Sequence, residues 1–82
     1  MSGYTPLPEP PPARRWRYEV GDELLYLSFG GERRRCRVTE KHADIKHGRP
    51  GFNAILLGPN GEPRIWEEQV WGYDEQIEQV IR

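Results

Sequence analysis

The chain has 82 residues, 35 % of them apolar and 30 % charged, with 12 Lys/Arg against 13 Asp/Glu for a net charge of −1. A chain this short is one small domain, near the lower limit for folding without disulfides or a metal. With one cysteine, Cys36, it cannot be a disulfide-stapled scaffold, and its nearly balanced charge argues against indiscriminate polyanion binding.

The lone thiol points to a reducing, cytoplasmic setting. No apolar run approaches the length of about 18 residues that a membrane span needs, so no membrane partner is expected. The start of the chain also lacks the apolar region of a secretion signal. Residues 1–50 carry ten Lys/Arg against seven acids, a balance of +3, whereas residues 51–82 carry two against six, a balance of −4. Such bipolarity suits a partner with a defined charge pattern, or a self-complementary surface.

In chain order, "TPLPEPPPARRWR" comes first, with Pro6, Pro8, Pro10, Pro11 and Pro12. Each proline fixes φ and removes a backbone donor, so residues 1–18 are expected to form an extended, polyproline-like arm outside the core. Residues 19–82 then read as one all-β domain. Gly21-Asp22 marks a turn, and Glu23–Phe29 a strand rich in Leu and aromatics. Gly30-Gly31 supplies a hairpin turn. "RRRCRVTEK" alternates, which puts Cys36 and Val38 inside and Arg33, Arg35 and Arg37 outside, with Arg34 near the rim. A long loop containing Lys46-His47-Gly48-Arg49-Pro50-Gly51 leads to a third strand over Phe52–Leu57. "GPNGEP" is the next turn, before a fourth strand over Arg64–Tyr73, a single helical turn at 74–77 and a short closing strand in "EQVIR".

Five short strands in about sixty residues expose their edges as a flat sheet, and curling into a small barrel pairs those edges around one core. The expected core is Val20, Leu24, Tyr26, Cys36, Val38, Val70, Ile77 and Val80. One alternating set from the third strand completes it, either Phe52, Ala54 and Leu56 or Ile55 and Leu57.

"VGDELLYL", a Gly turn, "RCRVTEK" and "VWGYDEQI" resemble, in that order, the elements of SH3-like barrels of the Tudor and KOW kind. The resemblance covers roughly residues 20–82 and implies a five-stranded SH3-like barrel. It departs from Tudor domains in its long loop between strands two and three, and a methyl-lysine cage cannot be traced position by position. "IKHGRPGF" and "VWGYDEQI" are also similar to segments of short bacterial and bacteriophage proteins. That likeness implies a small-protein family without an assigned activity, and with it a mobile-element-encoded modulator or inhibitor of a cellular protein.

Three features carry candidate chemistry. Gly48-Arg49-Pro50 resembles the centre of an AT-hook, an arm that lays an arginine in an A·T minor groove. Gly48, Pro50 and Gly51 are equally what a sharp turn selects, and turn chemistry explains each of them without a ligand. Arg33, Arg35 and Arg37 make a positive stripe near Phe29, suited to planar anions or simply to blocking unwanted strand addition. Trp71 and Tyr73 mark a binding surface if Val70 points inward; in the other register Trp71 is core, and at least one of Trp66 and Trp71 is expected to be structural.

No metal-ligand spacing and no nucleophile–base pairing stands out, so no cofactor, metal or catalytic role is expected. The resulting expectation is a non-enzymatic module that binds another protein through Phe29, Arg33, Arg35, Arg37, Lys46, Arg49, Trp71 and Tyr73. The alternative is nucleic-acid binding through Arg33, Arg35, Arg37, Lys41, Lys46 and Arg49. Oligomeric state is left open.

Overall fold

A computed structural model of the protein describes residues 17–82; residues 1–16, and with them most of the expected Pro-rich arm, lie outside the described residues. Five antiparallel strands form one sheet: β1 (Glu23–Leu27), β2 (Arg33–Lys46), β3 (Arg49–Leu56), β4 (Gln69–Tyr73) and β5 (Ile77–Ile81). The spatial order is β4-β3-β2-β1-β5, a meander whose last strand returns to the side of the first. A single 3-10 turn, Asp74–Gln76, joins β4 to β5.

The expected closed barrel is not what forms, because no ladder joins β4 to β5 and both remain edges of the sheet. The sheet nevertheless wraps, and β2 is the reason. Its first residues pair with β1, Leu24 opposite Cys36, and from Cys36 onward it pairs with β3, Val38 opposite Ala54. Register shifts at Glu40 and again between His42 and Lys46 bend the strand, as bulges do.

The expected long loop between strands two and three is instead a tight hairpin. Lys46 pairs with Arg49, and only His47 and Gly48 turn the chain, with φ of 58° and 71°. Positive φ at both central residues is the twist-matching geometry of two-residue hairpins. The Asp44 carboxylate accepts a hydrogen bond from the Gly48 N–H at 2.9 Å and braces the turn. Pro50 sits inside β3 opposite the bulge, where the missing N–H costs no regular ladder bond.

Strand four is shorter than expected. Ile55 already lies opposite Gln69, so β3 has almost run out before residues 64–68 can pair; only the Leu56 N–H reaches back, to the Glu68 carbonyl. Ile65 and Trp66 are left at a solvent-facing tip.

The core gathers Leu24, Tyr26, Cys36, Val38, Phe52, Ala54 and Ile77, with Val70 and Val80 packed beside it. Between the two alternatives for strand three the structure selects Phe52, Ala54 and Leu56, with Leu57 buried at the strand end. Val20 is not core. It caps the Val20-Gly21 turn and is 59 % exposed, because the next residues, Gly21 and Asp22, bond to Val38 of β2 and turn its side chain outward. Tyr18 fills the space instead, edge-on to Phe52 at 6.1 Å, while Tyr26 meets the same ring at 5.6 Å. Its hydroxyl donates to the Asp74 carboxylate, with the Gly51 carbonyl at 3.3 Å as a second acceptor. Lys41 covers the ring from outside, its Nζ 4.7 Å from the centroid.

Candidate functional site

Gly72 divides the two faces of β4. A side chain there would press on the Phe52 ring, so the inner face at this position belongs to Phe52. Trp71 and Tyr73, one residue to either side of Gly72, share the opposite face by the period of two. Their rings meet edge-on at 5.4 Å. Phe29, from the turn between β1 and β2, completes a triad at 4.8 Å from Trp71 and 6.0 Å from Tyr73. Trp71 and Tyr73 are half-buried, and Phe29 is 61 % exposed.

The residue that brings Phe29 there is Gln76. Its side-chain oxygen accepts from the Tyr73 N–H at 2.7 Å, and its amide nitrogen donates to the Leu27 carbonyl at 2.8 Å. One side chain thereby ties the end of β1 to the end of β4. Sequence reasoning quotes Gln76 only within "VWGYDEQI"; its bond to Tyr73, three residues earlier, is a local capping pattern, whereas its tie to Leu27, 49 residues away, carries no local signal.

Two cations flank the triad from the hairpin turn. Lys46 Nζ lies 5.1 Å from the Trp71 centroid, and the Arg49 guanidinium lies 3.9 Å over Tyr73. Both distances fall within the range of cation–π attraction. Arg49 is also ion-paired with Glu75. Beside Trp71 opens a cleft of about 430 Å³, lined by His42, Asp44, Ile45, Lys46 and Asn53. Asn53 spans it, its side-chain nitrogen 3.1 Å from Glu40 and 3.2 Å from His42.

The arginine stripe is divided. Alternation holds for Cys36 and Val38, both buried, and for Arg33 and Arg37, both exposed. Arg33 Nε donates to Glu78 at 2.6 Å, and Arg35 is half-buried in an ion pair with Glu23 across the β1–β2 ladder. Arg34 meets Glu32 at 3.1 Å. Among the described residues, Arg37 is the strand arginine that meets no carboxylate. Phe29, Lys46, Arg49, Trp71 and Tyr73 therefore come together, while Arg33, Arg35 and Arg37 lie apart from them with different partners.

Trp66 is 82 % exposed and Trp71 half-buried, so of the two tryptophans Trp71 is the one packed into the structure. Burial, with a smaller contribution from Glu23, pushes the Cys36 thiol up to about 12, a position that leaves it inert as a nucleophile near neutral pH. Among the described residues no three His, Cys, Asp or Glu side chains gather where they could hold a metal ion.

The chain matches no protein-family model, no curated protein and no solved structure.

Proposed function

We propose that the chain is a non-enzymatic interaction module that binds another protein through Phe29, Trp71 and Tyr73, flanked by Lys46 and Arg49. One observation carries the reading: three mutually packed aromatics stand on the surface with an exposed ring at their edge and two cations beside them. Aromatic and Arg side chains held in place before docking are what binding hot spots are made of. The triad loses little conformational freedom on docking, because Gln76 and Gly72 already fix it.

The meander with β5 beside β1, and the one-turn helix between β4 and β5, support an SH3-like relationship for the fold. A cytoplasmic role as a mobile-element-encoded modulator or inhibitor of a cellular protein remains in keeping with that reading.

A nucleic-acid reading draws on the same cluster, because cation-flanked aromatics also stack on bases. The local charge favours protein: Arg49 is already neutralised by Glu75, and Asp44 lies in the adjoining cleft. Affinity capture from the cell that makes the protein, with and without nuclease, separates the two. A protein retained after nuclease treatment, and lost with Trp71→Ala, supports the proposal. Capture unaffected by Trp71→Ala contradicts it, and capture abolished by nuclease transfers the surface to nucleic acid.

A further inference from the structure

A second face, sharing no residue with the aromatic triad, lies where β3 hands over to β4. A groove of about 420 Å³ is lined there by Val20, Arg37, Ile55, Pro63, Trp66 and Glu67, among others. Beside it the chain projects Ile65 and Trp66, 94 % and 82 % exposed, and Val20, which also lines the groove, is 59 % exposed. Large side chains this bare, set next to an apolar depression, mark an interaction surface.

The charges identify the occupant. Arg64 at the groove is held by Glu68 at 3.3 Å, which leaves Arg37 and Glu67 without an ion-pair partner among the described residues. The face thus offers one unpaired cation, one unpaired anion, an apolar depression and an apolar projection. An acidic peptide or a polyanion filling the groove meets Glu67, and a basic one meets Arg37. A second copy turned by a two-fold axis satisfies both, because each element of such a contact is made twice.

We infer that the protein self-associates through this face as a symmetric dimer. Trp66 of each copy enters the groove between Val20 and Ile55 of the other, and Arg37 of each copy pairs with Glu67 of the other. The inference stands independently of the proposed partner surface. Nothing in it requires the aromatic triad.

Sedimentation velocity of the full chain from about 5 to 500 µM covers the range in which a small interface dissociates. The expected result is a concentration-dependent monomer–dimer equilibrium. Arg37→Glu and Glu67→Arg should each weaken it at least about tenfold by setting like charges opposite each other, and the double swap should restore it. Trp66→Ser should also abolish the dimer, with an unchanged far-UV circular dichroism spectrum as the control for folding. A chain that is monomeric at every concentration overturns the inference, as does a dimer indifferent to both single charge reversals. A dimer lost in the single variants and not regained in the double swap overturns the pairing of Arg37 with Glu67.

Discussion

Two aromatic triads stand back to back across β4, and they do opposite things. Tyr18, Phe52 and Tyr26 meet edge-on beneath the sheet, each 2 % exposed or less. Phe29, Trp71 and Tyr73 meet at similar separations on the other side, with Phe29 mostly in water and cations against the other two. Ring geometry alone does not tell fold from function. What separates the triads is the environment: Phe52 is fully buried, whereas Phe29 stands in solvent and cations lie over Trp71 and Tyr73.

Phe52 is the residue on which the inner triad depends most. Phe52→Ala empties the centre of the core and should cost about 3–5 kcal/mol, a large share of what a domain this size has. Urea denaturation checks it; a midpoint close to wild type would mean that the inner triad is not the keystone. Gly51 and Gly72 belong to the same construction, since Gly51 could take no side chain without striking the Gly72 carbonyl and Ile45.

Alkali sharpens the contrast next. Burial pushes Tyr26 and Cys36 each up to about 12, and Tyr18 further still because its hydroxyl also faces Asp74. These groups stay neutral in the folded state and ionise more easily once unfolded. Their contribution is complete below the unfolded values, about 8.5 for the thiol and about 10 for the phenols, and is lost as pH climbs toward the folded ones. Stability should therefore hold at neutral pH and fall between about pH 9 and 12, read by circular dichroism. At about pH 8 the native thiol should resist a disulfide reagent; Cys36 reacting there at the rate of the unfolded chain would show that the inner cluster opens.

How much of this was written in the residue order differs between the triads. The inner face of β2 was legible, because a period of two in residues 33–39 needs no knowledge of the partner strands. Alternation likewise put Trp71 and Tyr73 on one face, but left open whether that face was the core or the surface. Tyr18 was not legible, since it follows a Pro- and Arg-rich segment and its burial depends on Phe52 and Asp74, distant in sequence. A turn within Lys46–Gly51 was legible from its Gly and Pro residues, but its two-residue length was not, because a histidine at positive φ carries no signature. Phe29 could be nominated by its neighbours on β2, yet its true companions are on β4. Long-range ties, here Gln76 to Leu27 and Glu23 to Arg35, decide which polar residues are free to act.

The smallest effect on stability should come from Phe29→Ala, and it is also the most direct test of the division between the two triads. Removing an exposed ring should shift unfolding by no more than about 1 kcal/mol. The decisive measurement is the titration of the captured protein partner onto wild type and Phe29→Ala side by side. Affinity lowered about tenfold or more, with the fold intact, is the result the outer triad predicts. Equal affinity would place the binding surface elsewhere on the molecule.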